Sequence, residues 1–159
     1  MSWKFLEISL LRDIDLFHKL GDRALNEVLA ITSIERPKMG DLIFEEGSVG
    51  DALYIILDGE VRISKDIHGI GEEALAFLTA GSYFGEMALL EDASKRSANA
   101  IAGDSCMLGK IDRASFMGLL ERDKQLAFEI LWSFVNTLSR RLRESNEKIA
   151  FFALSNIFE

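Results

Sequence analysis

Two hydrophobic periods divide the chain. Between Trp3 and Leu20 apolar residues such as Phe5, Ile8 and Leu11 recur at helical spacing, and after Asp22 they recur at Leu25, Val28, Leu29 and Ile31. The pattern predicts a helical N-terminal section over residues 1–32, its second helix at 24–32. From about Ser33 to Asp112 the character changes to short apolar runs at 42–44, 53–57, 61–64, 74–78 and 107–111. They are separated by Met39-Gly40-Asp41, Asp58-Gly59, Gly69–Gly71 and Ala80-Gly81-Ser82. Runs punctuated every 8–12 residues by Gly and Asp predict an all-β barrel or sandwich over 33–112. The Asp58-Gly59 pair carries the strongest hairpin signal, because glycine tolerates the positive φ of a tight turn. After Asp112 the helical period returns, through 114–122 and then a long stretch from about Lys124 to Phe152, giving a helical C-terminal section over 113–159.

In that long stretch Phe128, Leu131, Val135, Leu138, Leu142, Ser145, Ile149 and Phe152 step by three and four in strict alternation. This is a heptad seam broken only by Ser145. An amphipathic stripe ordinarily packs on its own core, but this one spans about seven turns, more than the end of a small barrel covers. The distal half is therefore expected to pair with a second copy, in a homodimer built through Leu131, Val135, Leu138, Leu142 and Ile149.

Composition narrows the function. With 159 residues, 48% of them hydrophobic and a single proline, the chain matches one globular domain with a real core. Eighteen basic against 26 acidic residues leave a net charge of −8, which disfavours binding to nucleic acid or to an anionic membrane. The one cysteine, Cys106, allows no internal disulfide and no thiolate cluster, and in its apolar run it reads as a buried filler. No apolar run approaches the ~20 residues of a membrane span, and the charged start of the chain lacks the apolar core of a signal peptide. A cytoplasmic protein is expected. His18 and His68 stand apart from each other and from any nucleophile, no Gly-rich Walker loop is present, and no metal-ligand spacing occurs. These absences argue against an enzyme and against a metal site.

The informative stretch is Gly81-Ser82-Tyr83-Phe84-Gly85-Glu86-Met87-Ala88-Leu89-Leu90, followed by Arg96-Ser97-Ala98-Asn99-Ala100. A glycine ends a strand, a carboxylate follows, and a short turn presents backbone N–H groups suited to an anion. Arg96 adds a guanidinium fork that fits phosphate oxygens. Glu86 would repel a phosphate, so its presence suggests that a neutral diol edge, such as a ribose hydroxyl, is held as well. Anion and hydroxyl within one short loop point to a nucleotide with a single compact phosphate.

Here the chain resembles the cyclic-nucleotide-binding domains, nearest to the catabolite-activator branch of bacterial regulators. The likeness runs from about Leu16 to Phe152 and rests on the cassette Phe84–Leu90 with Arg96-Ser97-Ala98 ten residues beyond the glutamate. Gly40, Gly47, Gly59 and Gly81 fall where that family turns its β-roll, and Lys95 stands where many members carry proline. The resemblance implies a mainly β fold with α: an eight-stranded antiparallel β-roll, or jelly roll, flanked by N-terminal helices and a long C-terminal helix. It implies binding without catalysis, with cAMP as the ligand and cGMP also admitted. Arg96 would pair with the cyclic phosphate, Glu86 would accept from the ribose 2′-hydroxyl, and amides near Gly85, Met87, Ala88 and Ser97 would complete the cradle. Ser145 and Asn146 correspond to the places from which the long helix reads the purine. The DNA-binding helix-turn-helix of activators in this branch has no counterpart in the sequence. The apolar segment 151–158 therefore suggests an effector protein, not DNA, as the output partner. The alternative is a non-catalytic dimerisation module that binds another ligand, cGMP or cyclic di-GMP, or none.

Overall fold

The computed structural model describes residues 7–90 and 94–155. Trp3 and Phe5 of the first expected helix and the 156–158 part of the apolar tail lie outside those residues. The chain opens with α1 (Ile8–Arg12) and α2 (Asp22–Ala30). Eight strands follow among the described residues: β1 (Thr32–Glu35), β2 (Leu42–Phe44), β3 (Ala52–Asp58), β4 (Glu60–Ile67), β5 (Gly71–Thr79), β6 (Tyr83–Phe84), β7 (Asn99–Ala102) and β8 (Met107–Asp112). The short α3 (Met87–Leu90) interrupts them, and α4 (Arg113–Arg122) and α5 (Lys124–Ser155) close the chain. The strands form two four-stranded sheets, β1-β8-β3-β6 and β2-β7-β4-β5, and all recorded pairs are antiparallel. The fold is thus the mainly β, eight-stranded roll with flanking helices that the cassette implied.

β3 shows how the roll and helices are joined. Successive side chains of a strand point to opposite faces, and both faces of β3 are covered. Leu53 and Ile55 enter one core with Phe17, Leu25, Phe116, Ile130 and Phe134 from the helices. Ala52, Tyr54 and Ile56 enter a second core inside the roll with Phe84, Ala100 and Leu108. Burial on both faces explains the uninterrupted apolar run at 53–57.

Three expectations change. Among the described residues of the first stretch only 8–12 are helical; residues 13–19 form turns, from which Ile14, Leu16, Phe17 and Leu20 enter the core. The second helix runs Asp22–Ala30, and Thr32 already belongs to β1. The Asp58-Gly59 turn is not a hairpin: β3 and β4 lie in different sheets, and Gly59, at φ +90°, turns the chain from one to the other. The β-hairpin proper is β4–β5, paired from Glu60↔Thr79 to Ile67↔Gly71. A tight turn dictates local reversal, not which strand becomes the neighbour.

The long helix has two apolar faces. Leu126, Ile130 and Phe134 are buried in the core with Ser133 and Thr137 beside them, whereas the seam residues Phe128, Leu131, Val135, Leu142, Ile149 and Phe152 are exposed. Apart from the half-buried Leu138 and from Ser145 at the cavity, the heptad stripe therefore does not pack on its own β-roll.

Candidate functional site

A cavity of about 470 Å3 opens between the roll and α5. Phe44, Ile63 and Leu78 of the roll supply its apolar wall, the segment 82–88 with Arg96 and Ser97 its polar end, and Thr137, Arg140, Arg141 and Ser145 its α5 wall. β6 delivers the polar end: it stops at Gly85, whose φ of +79° favours glycine. A Cβ there would also lie 2.7 Å from the Arg96 Nη1. Both constraints explain the glycine between strand and glutamate.

Arg96 is only 6% exposed. Its Nη1 donates to the Gly85 carbonyl at 3.1 Å and its Nη2 to the Ala52 carbonyl at 2.8 Å. The guanidinium lies 4.1 Å from the centre of the Phe44 ring, a cation–π placement, while Nε is buried without a partner. Burial lowers its pKa, opposed by the charges of Tyr54, Asp51 and Glu86. Among the described residues no carboxylate forms an ion pair with it. A buried cation without a contacting anion is costly, so the site is electrostatically prepared for an anion.

Glu86, 4% exposed, faces the same cavity. Its Oε1 accepts from Arg141 Nη1 at 2.8 Å, and Arg141 Nη2 donates to the Tyr83 carbonyl at 2.8 Å. The Arg141 guanidinium also sits 5.5 Å from the Tyr83 ring centre. Burial raises the Tyr83 pKa, with Thr137 beside the hydroxyl acting in the opposite sense. Sequence reasoning passed over Arg141. A signal for it existed: Ile130, Phe134, Thr137 and Arg141 recur on one helical face, and a cation continuing a core-facing stripe marks a buried partner.

The other candidates divide. Ala88 is buried, and its amide already donates to the Gly85 carbonyl at a long 3.3 Å. The expected freedom of that amide is thus limited, because the short helix closes on itself. Met87 is exposed on the cavity wall, and the Ser97 hydroxyl reaches its sulfur at 3.8 Å. Ser145 lines the cavity and Asn146 does not. One residue along a helix is a rotation of about 100°, which carries Asn146 past the seam and away from this chain's own cavity. Among the described residues no group of three His, Cys, Asp or Glu could hold a metal. No helix is long and apolar enough to cross a membrane.

Comparison with known proteins bears on this geometry. Residues 35–123 match the model of the cyclic nucleotide-binding domain. The chain is 34% identical to the cyclic AMP receptor protein of Thermus thermophilus, over 82% of this chain and 58% of that protein. It is 29% identical to the cGMP-dependent protein kinase 2 of Homo sapiens, over 94% of this chain and 22% of the kinase. A cyclic nucleotide-binding domain from Methylobacillus flagellatus superposes with a TM-score of 0.78 at 27% identity, over 89% of this chain and 79% of that one. The chain thus spans less than two thirds of the curated relatives' length.

Proposed function

The chain belongs to the cyclic nucleotide-binding domain family, and on that premise we propose that it is a non-catalytic sensor of cAMP that couples ligand binding to the geometry of α5 and of a homodimer. The observation that carries the reading is Arg96: a buried guanidinium with no ion pair and an unpartnered Nε among the described residues, and a place on the wall of a nucleotide-sized cavity. An anion placed there recovers part of the cost of burying the charge, through charge-assisted hydrogen bonds. The names of the relatives, one a cyclic AMP receptor and one a cGMP-dependent kinase, support a cyclic mononucleotide as the ligand class.

In this reading Arg96 grips the cyclic phosphate with amides near Gly85, Met87, Ala88 and Ser97, and Glu86 accepts from the ribose 2′-hydroxyl. A base in the cavity meets Ser145 of the same chain, while Asn146 reaches a base only across a dimer. The seam of Leu131, Val135, Leu138, Leu142 and Ile149 forms that dimer, and the functional division follows 1–32, 33–112 and 113–159. Coupling runs through Arg141: a ribose hydroxyl arriving at Glu86 must share or displace the contact that ties the cassette to α5, so bound and free states differ at that contact.

Calorimetric titration of the chain with cAMP, cGMP and cyclic di-GMP tests the proposal. Saturable binding of cAMP, tightest of the three and lost in Arg96→Ala, is expected. Tighter binding of cyclic di-GMP, or no binding of any, would overturn it.

A further inference from the structure

On the far side of α5 from the seam a second, more open cavity of about 340 Å3 lies against the turn that follows α1. Arg140 and Arg143 line it from α5 together with Ser133, Asn136 and Thr137, and His18 lines it from the turn. Ser133 is 5% exposed, and no hydrogen bond of its hydroxyl is recorded among the described residues. Arg143 likewise forms no ion pair among them. The single carboxylate at the site, Asp15, meets Arg140 only at a long 3.8 Å, with both side chains more than half exposed, and such a pair holds little energy. His18 donates through Nδ1 to the Asp15 carbonyl at 2.6 Å, which holds its ring at the edge of the hollow.

Two guanidiniums one turn apart and the hydroxyl-bearing side chain of Ser133, 5% exposed, form a donor-bearing hollow in a chain of net charge −8. Arg143 and Arg140 supply the planar forks that match phosphate oxygens, and Ser133 supplies a neutral donor. We propose that this groove is a second anion site, which takes a compact phosphate: inorganic phosphate or the phosphate of a monoester. Ser133, Asn136, Arg140 and Arg143 lie roughly 150° round the helix from the seam, so pairing of two long helices leaves the groove open.

Asp15, Thr137 and Arg140 line both this groove and the nucleotide cavity. A phosphate that draws Arg140 away from Asp15 alters the wall of the first site, and linkage makes the effect reciprocal. The anion site itself does not depend on the nucleotide reading; only this coupling does.

The test is a titration of the whole chain with inorganic phosphate, and separately with ribose 5-phosphate, at ionic strength matched with chloride, followed by amide NMR and calorimetry. Wild type and Arg96→Ala are expected to saturate in the same range, with the largest shifts near Ser133 and His18, and Arg143→Gln to bind at least about tenfold more weakly, as for loss of a charge-assisted contact. Ser133→Ala should weaken binding less. Tighter binding of ribose 5-phosphate assigns the site to a monoester, and equal binding to the free anion. Loss in Arg96→Ala with retention in Arg143→Gln would place the phosphate in the nucleotide cavity and overturn the proposal, as would no saturation in wild type. Failure of cAMP to bind while phosphate still saturates would overturn the nucleotide reading alone.

Discussion

Arg141 on the long helix holds the Glu86 carboxylate at 2.8 Å, across 55 residues of sequence. The contact joins the loop that carries the cassette to the helix that carries the seam. Because Glu86 is 4% exposed, either partner alone is poorly tolerated. Arg141→Ala strands a buried carboxylate and should cost about 3 kcal/mol of stability. Glu86→Gln in the same background should restore part of the loss, since a neutral amide needs no counter-charge. Urea denaturation of the four proteins of this cycle measures it; an additive double mutant would show that the pair is not energetically coupled.

Arg96→Ala should remove on the order of 2–4 kcal/mol of nucleotide binding, roughly 30- to 1000-fold in affinity. Arg96→Lys keeps the charge but cannot bridge the Gly85 and Ala52 carbonyls as the fork does, so it should fall between wild type and alanine. Calorimetry with cAMP orders the three, and an unchanged affinity in Arg96→Ala contradicts the phosphate role.

Gly50 stands behind Arg96, and a Cβ there would lie 2.2 Å from the Ala88 Cβ and 3.1 Å from the Arg96 guanidinium carbon. The requirement is one of space. Gly50→Ala should cost about 1–3 kcal/mol of stability through overpacking and weaken cAMP at least about tenfold, about 1.4 kcal/mol, by displacing both sides of the cradle. Thermal melts and calorimetry on one sample separate the two effects, and full affinity in a destabilised protein would remove Gly50 from the site.

Replacing Leu138 and Leu142 with glutamate should yield a monomer by light scattering, and because Leu138 is half-buried whereas Leu142 is 63% exposed, the single Leu142→Glu variant should weaken the dimer with unaltered helicity. Each lost apolar contact is worth about 1.5–3 kcal/mol. In this monomer Asn146→Ala should no longer affect discrimination between adenine and guanine nucleotides, whereas Ser145→Ala still should. Each hydrogen bond lost should cost about 0.5–1.5 kcal/mol. A wild type that is monomeric at concentrations of tens of micromolar defeats the dimer.

Asp112 caps α4 by accepting from the Ser115 N–H at 2.9 Å, and that bond lowers its pKa. A depressed folded-state pKa contributes stability above the ordinary carboxylate value of 3.8 and loses it as pH falls through the folded value. Asp112→Ala should thus cost about 0.5–2 kcal/mol at pH 7, and the gap to wild type should narrow below pH ~4. A gap constant from pH 7 to pH 3 would assign the effect to packing.

The sequence by itself determined what depends on neighbours along the chain. Strands at 42–44 and 107–111, the glycine ahead of Glu86, the spacing to Arg96 and the seam from Leu131 to Ile149 all follow from local period and residue chemistry. Tertiary structure decided what depends on the meeting of distant segments. Asp58-Gly59 could announce a turn but not that β3 and β4 would part into different sheets, because a turn constrains four residues and sheet partnership is settled by cores elsewhere. The seam was legible as a stripe, yet only the packing of Ile130 and Phe134 under the roll left Leu142 and Ile149 facing outward. Glu86 could be recognised as a carboxylate out of place beside an anion site; that Arg141 balances its charge was decided by where α5 crosses the roll.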